Sequence, residues 1–461
     1  MTQLTKLDQY FKEHRNQHLE EMKAFLSIPS ISSLSEHKDD MHHAAKHLAE
    51  LLKKAGMENI QVRDTAGHPV VTADWLHAED KPTVLVYGHY DVQPVDPLEL
   101  WHSAPFEPEI RENIIYGRGS SDDKGQVFMH VKVLEAMLQT EEKLPVNVKV
   151  LFEGEEEIGS VHLDQFIIDY KEELAADLVV ISDTALYAPG KPAVCYALRG
   201  LTGVQINVSG PAGDLHSGLY GGGVQNPIHA LSTILASFHD ENGSVKVEGF
   251  YDDVRPLTEE ERNAFAALDF SEDDMKAEAG VSELFGEQGY SYLEQTWARP
   301  TLEMNGVFGG FSGEGIKTVL PAKAGAKITC RLVPDQDPYV IVDLLRKHIE
   351  ANTPAGVQIE VAEFDKGKPF ITPMDHPLIQ AAGESYETQY DAQTAYIRAG
   401  GSIPIVSTFD EILQAPVILM GFGLSTENFH APNEHFHLEN YDKGLRVVSD
   451  YFNRIQNFKK I

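Results

Sequence analysis

Five short segments of this chain carry residues whose types and spacing suit metal chemistry. The first is Gly88-His89-Tyr90-Asp91-Val92-Gln93-Pro94, which follows Pro82-Thr83-Val84-Leu85-Val86-Tyr87, an apolar, β-branched run short enough to be a buried strand. Residues two apart on an extended chain point the same way. Asp91 can therefore accept from one imidazole nitrogen of His89 and leave the other for a cation. Alone, the pair serves equally well to tie off a turn. Asp122-Asp123-Lys124-Gly125 stands just ahead of an expected helix, where an aspartate also serves as a plain N-cap. Glu153-Gly154-Glu155-Glu156-Glu157-Ile158-Gly159-Ser160 ends another expected strand. An acidic run is usually a solvated face, but beyond a buried strand it lies at the crevice where α/β sheets bind ligands. Ile181-Ser182-Asp183 puts one more carboxylate at a strand end, and Phe429-His430-Ala431-Pro432-Asn433-Glu434 follows the last strand.

Together these segments offer His89, Asp122, Glu157, Asp183 and His430, a nitrogen and oxygen set without thiolates. It suits zinc or a hard divalent ion, not copper(I) or an iron–sulfur cluster. Two divalent ions bring about +4, which three ligand carboxylates and one unbound glutamate nearly cancel. Two ions ~3.5–4 Å apart require one bridging carboxylate. Neighbouring side chains diverge, so of Glu156 and Glu157 one can ligate while the other faces a water acidified toward a pKa of ~7.

These residues need elements to hold them. Apolar spacing predicts helices over Leu7 to Leu26 and Met41 to Ala55, then strands at Ile60 to Arg63, Val70 to Trp75 and Thr83 to Tyr87. A strongly amphipathic helix is expected over Gln126 to Leu138, with strands at Val146 to Phe152 and Ala176 to Ile181. Strands alternating with helices imply an α/β domain with a mostly parallel central sheet. After Leu198-Arg199-Gly200 the pattern changes. Alternating strands at Thr202 to Ser209 and Gly325 to Val333, a third at Val357 to Ala362, and helices at Asn226 to Phe238 and Tyr339 to Asn352 suggest a small inserted α+β sandwich. Helix (Pro377 to Tyr386), strand (Val417 to Met420) and a final amphipathic helix (Tyr441 to Phe458) complete the first domain. The expected division is 1–199 and 374–461 for the catalytic domain and 200–373 for the insertion.

The bulk numbers agree with a multidomain globular protein: 461 residues suggest about two or three domains. A net charge of −33 argues against nucleic acid or an anionic membrane as partner. Cys195 and Cys330 read as small buried hydrophobes. The polar N-terminal stretch and the lack of any run as long as a membrane span lead to a cytoplasmic expectation.

The order His-x-Asp, Asp-Asp-Lys-Gly, Glu-Glu-x-Gly-Ser, Ser-Asp and a late His-x-x-Asn-Glu resembles the co-catalytic zinc peptidases over nearly the whole chain. That family includes carnosine-type dipeptidases, aminoacylases and succinyl-diaminopimelate desuccinylases, and the nearest likeness is to the cytosolic non-specific dipeptidase branch. The resemblance implies an aminopeptidase-like catalytic domain and a ferredoxin-like lid and dimerisation domain. It implies two metal ions per subunit, zinc foremost, with manganese or cobalt also accommodated. Asp122 would bridge them across a cis Asp122-Asp123 peptide; His89 and Asp183 would hold one ion, Glu157 and His430 the other. Glu156 would be the general base and Asp91 would orient His89. Asp214-Leu215-His216-Ser217-Gly218 resembles the loop whose histidine reaches the partner subunit's site to stabilise the oxyanion. Thr318, Arg331 and the Gly400-Gly401-Ser402 loop, Gly401 and Ser402 above all, resemble the groups that grip the substrate carboxylate.

The implied activity is dipeptide hydrolysis by a homodimer. Rivals are an N-acyl-amino-acid amidohydrolase or carboxypeptidase of the same family and, from another class, a non-catalytic metal-binding dimer. Gly221-Gly222-Gly223 lacks the ending of a phosphate loop, and His435 and His437 are expected at the surface.

Overall fold

The computed structural model of the chain describes residues 3–364, 366–401 and 403–459. It divides into two compact units. One comprises Met1–Tyr196, Thr372–Ile397 and Thr408–Ile461, and the other Ala197–Ile371 with Arg398–Ser407.

The first unit is built on a large mixed sheet. Four central strands are parallel: Asn147–Glu153 beside Thr83–His89, then Leu178–Ile181, then Val417–Leu419. The margins are antiparallel, with Glu58–Arg63 and Val70–Trp75 on one side and Ala193–Leu198 on the other. The expected parallel arrangement therefore holds for the centre and not for the edges. The central strands are buried along nearly their whole length, as the continuous Val/Ile/Leu runs require.

The helix Lys124–Glu141 departs from expectation. It is not amphipathic: every residue from Lys124 to Met137 is buried. Its polar residues meet partners inside. Lys132 Nζ lies 2.5 Å from Glu21 and Glu135 carboxylate oxygens, and His130 Nε2 lies 2.7 Å from Ser182 Oγ. The final helix, Leu438–Ile455, packs against it.

The second unit holds a four-stranded antiparallel sheet in the order Thr301–Gly309, Lys323–Leu332, Gly200–Ser209, Gln358–Glu363. Helices Pro227–Ala236 and Pro338–Ala351 follow the strands Gly200–Ser209 and Lys323–Leu332 along the chain. This is the βαββαβ order of a ferredoxin-like fold. Val204, Ile206, Val208, Ile328 and Cys330 face Leu231, Ile234, Leu345 and Ile349 in its core. The strand Thr301–Gly309 escaped the sequence reading, because it is exposed along most of its length and lacks an alternating apolar face. In chain order the unit's first and last strands, Gly200–Ser209 and Gln358–Glu363, are neighbours, and Leu201 and Gly367 exchange backbone hydrogen bonds of 2.8 Å in both directions. Among the described residues no helix is long and apolar enough to cross a membrane.

Candidate metal centre

Four of the five candidate ligands sit at or just beyond the end of a strand, or just before a helix. His89 closes the strand Thr83–His89, and Asp183 lies two residues past Leu178–Ile181. Glu156 and Glu157 open a short 3₁₀ turn after Asn147–Glu153. Asp122 precedes the buried helix across a cis Asp122-Asp123 peptide bond. Gly88 permits this convergence: a Cβ there would lie 2.5 Å from Val127 Cγ2 and 2.8 Å from Asp123 Oδ2. His430 has left-handed backbone (φ 58°), uncommon for a side chain of its size and often found at functional sites.

The side chains meet in two groups that share one member. His89, Asp122 and Asp183 form the first; Asp122, Glu157 and His430 form the second. His89 Nε2 is 3.2 Å from Asp122 Oδ1 and 3.9 Å from Asp183 Oδ2. His430 Nε2 is 2.9 Å from Asp122 Oδ2 and 3.2 Å from Glu157 Oε2. Asp122 thus turns one carboxylate oxygen toward each group. Glu156 belongs to neither group.

Two observations show that these residues fit divalent cations. His89 Nε2 is buried and makes no hydrogen bond, an omission that costs about 1–3 kcal/mol unless something else fills it. The carboxylates are also short of counter-charge. Burial and the neighbouring carboxylates raise the Asp183 carboxyl well above its ordinary range. Burial would raise Asp122 too, but a hydrogen bond with His430 and the charge of the adjacent His89 ring hold it low. Hydrogen bonds with Asp122 and Glu157 push His430 up to about 10. Burial, with Glu157, Asp122 and Asp91 nearby, raises Glu156 to about 7, a range suited to taking and returning a proton.

Asp91 does more than orient His89. His89 Nδ1 lies 3.1 Å from the Asp91 carbonyl oxygen and 3.3 Å from its Oδ1. The two carboxylate oxygens accept from the backbone amides of Glu156 and Glu157, at 3.2 and 3.1 Å. One buried aspartate therefore ties the His89 strand end to the turn bearing both glutamates. Gln93 was missed by the sequence reading. Its Nε2 donates to Glu157 Oε2 at 2.8 Å. The same two-residue periodicity that links His89 to Asp91 would have pointed to it.

His435 and His437 are half-buried, not surface residues. They sit on a short strand paired with Ile114–Tyr116, and His437 Nδ1 lies 2.6 Å from the buried Glu427 carboxylate. Pairing with a segment some 320 residues earlier leaves no local signal.

In the second unit, His216 lies on a two-residue strand opposite Val319, and Ser217 N donates to Thr318 O at 3.1 Å. His216 is exposed and its Nδ1 accepts from Gly218 N at 3.0 Å. Arg331 is half-buried on the strand Lys323–Leu332, opposite Leu201 and Thr301. Gly401 is exposed, and the loop before it is held by Arg199 Nε donating to Gly400 O at 3.2 Å. Ser402 lies outside the described residues.

Comparison with known proteins accords with this geometry. The family model described as peptidase family M20/M25/M40 matches residues 85–454. The Cys-Gly metallodipeptidase DUG1 of Candida albicans is 32% identical over 95% of both chains. The solved structure of the di-peptidase Dug1p from Saccharomyces cerevisiae is 30% identical, with a TM-score of 0.77 over 98% of both chains. A metallo-carboxypeptidase from Sulfolobus solfataricus is 35% identical, with a TM-score of 0.81 over 95% of this chain and 99% of the other.

Proposed function

The chain belongs to peptidase family M20/M25/M40 and is a metal-dependent dipeptidase; from that premise we propose how its residues divide the work. The observation that carries the assignment is the pair of ligand groups sharing Asp122, with Glu156 beside them and in neither. Two divalent ions, when bound, supply Lewis acidity to the peptide carbonyl and acidify a water. His89 and Asp183 would hold one ion and Glu157 and His430 the other, with Asp122 common to both groups. Zinc is the first choice for this nitrogen and oxygen set, and manganese or cobalt also fits it.

Glu156 removes a proton as water oxygen bonds to the carbonyl carbon, then delivers it to the amine as the C–N bond breaks. Its half-buried setting, pushed up to about 7, suits both transfers. His216 is proposed to serve the site of a partner subunit in a homodimer, donating to the developing oxyanion. Arg331, Thr318, Gly401 and Ser402 are proposed to hold the substrate's terminal carboxylate. The partly buried Arg331 guanidinium has no hydrogen-bond or ion-pair partner among the described residues, as a waiting anion site requires. The buried thiols of Cys195 and Cys330 suit a reducing, cytoplasmic setting.

A second reading, carboxypeptidase action on longer chains, is favoured by the likeness to the archaeal metallo-carboxypeptidase. Metal-loaded protein assayed against Cys-Gly and other dipeptides, C-terminally extended peptides and N-acetyl-amino acids separates the readings. Dipeptide cleavage alone supports the proposal. Faster release of C-terminal residues from longer peptides, or cleavage of N-acetyl-amino acids alone, overturns it.

A further inference from the structure

Glu434 closes the motif that supplies His430, yet the mechanism above gives it no task. Its side chain is completely buried. Four donors meet its carboxylate. Oε2 accepts from Arg118 Nη1 at 2.8 Å and Gly119 N at 2.9 Å; Oε1 accepts from Ser121 N at 3.0 Å and Asp122 N at 3.1 Å. Three of the four are backbone amides of the loop that presents the carboxylate common to both ligand groups. The backbone answers in kind, with Gly117 N donating to Glu434 O at 3.0 Å.

A second buried acid of the same segment strengthens the connection. Glu427 Oε2 accepts from Ser121 Oγ at 2.6 Å, and its Oε1 accepts from His437 N at 2.9 Å. Gln126 adds a third tie, donating to Ser121 O at 2.9 Å and accepting from Phe422 N at 2.8 Å. Residues 119–122 thus give four hydrogen bonds directly to Glu427 and Glu434, in the stretch that carries His430.

We infer that Glu434 is a positioning residue for the metal centre. Its carboxylate fixes the backbone of Asp122 to the segment bearing His430, so that the shared carboxylate and one imidazole move as a single piece. This rests on the metal-centre reading above and goes beyond it. Glutamine cannot replace the acid: whichever way its amide turns, an NH₂ faces two N–H donors. Aspartate would withdraw the oxygens by about 1.5 Å, the length of one bond. The competing role for Glu434 is simply to neutralise the buried Arg118 guanidinium, which would make it a general stabiliser.

Titrating metal-free protein with Zn²⁺ alone, by calorimetry, tests the assignment without relying on hydrolysis. Wild type, Glu434→Gln and Arg118→Met are compared, with melting temperature and dipeptide kcat and KM measured in parallel. Glu434→Gln is expected to lose about 10–100-fold in metal affinity, as supporting shells of metal ligands do, and to regain part of kcat at high Zn²⁺ with KM unchanged. Arg118→Met leaves the three amide bonds in place, so it should melt earlier but bind Zn²⁺ as wild type does. Wild-type affinity in folded Glu434→Gln, or an equal loss in Arg118→Met, overturns the inference. Should Glu434→Gln fail to fold, Glu434→Asp takes its place, and failure to fold or unchanged affinity there also overturns it. Two bound metals without dipeptide cleavage would instead sink the proposed function and leave this inference standing.

Discussion

His89 and His216 show how differently the two units treat a histidine expected to act. His89 is completely buried, its ring set by Asp91 on one side and by two carboxylates on the other. His216 is exposed on a two-residue strand, with one local bond from Gly218 N. The contrast extends to their companions. Asp91, Asp122 and Glu157 are each engaged by several partners, whereas the side chains of Thr318 and Arg331 have none among the described residues. The difference teaches that the metal-binding half of the chemistry is organised in advance by its own unit. On the proposed reading, the groups of the second unit would gain their partners from substrate and from a second copy of the chain.

Four experiments sharpen or break that contrast. The largest effect is expected from Glu156→Gln: kcat should fall by about 10²–10⁴ while two metals still bind, since a general base contributes that much. A fall of less than tenfold would remove Glu156 from its role. His216→Ala comes next, with a loss of about 10²–10³ in kcat if it meets the oxyanion. Mixing refolded Glu156→Gln and His216→Ala chains should then restore activity above either alone, because hybrid dimers contain one intact site. No recovery would confine His216 to its own subunit. Arg331→Met is expected to raise KM by about 10–100-fold, the worth of a charged hydrogen bond, and to leave metal binding intact. Equal KM for dipeptides and their C-terminal amides in wild type would count against a carboxylate grip.

The last experiment concerns stability. Burial of His130 inside its helix lowers its pKa from 6.5 to about 4. Below pH 6.5 the unfolded chain takes up a proton that the folded chain refuses until about pH 4. The histidine's contribution is therefore complete above pH 6.5 and drains away as pH falls through that window, by up to about 3 kcal/mol. In denaturant melts, wild type should lose more stability than His130→Gln as pH falls from 6.5 to 4. Parallel curves would mean that His130 does not report this burial.

The sequence was most readable where a strand's composition and its function coincide. Apolar β-branched runs mark Thr83–His89, Asn147–Glu153 and Leu178–Ile181, and in an α/β sheet the residues just beyond such runs line the crevice. His89, Glu157 and Asp183 could be found for that reason. Lys124–Glu141 misled because Lys132 and Glu135 look like a solvent face. Both are buried, Lys132 bonding Glu135 and also Glu21, a partner more than a hundred residues away. Thr301–Gly309 gave no signal because it buries little. The bonds that aim Glu157, from Gln93 and Asp91, join separate segments, and only the folded chain brings those segments together.

The adjacency of the second unit's first and last strands carries a consequence for how such a chain can be rebuilt. Leu201 and Gly367 are bonded to each other, so the whole intervening cassette leaves and rejoins its host through a doorway one strand spacing wide, about 4.7–5.5 Å. A graft with that same doorway, or a short linker across it, asks nothing new of the backbone on either side. The host's ligands are all outside the cassette. Such a minimal chain would keep every candidate metal ligand while losing His216, Thr318 and Arg331.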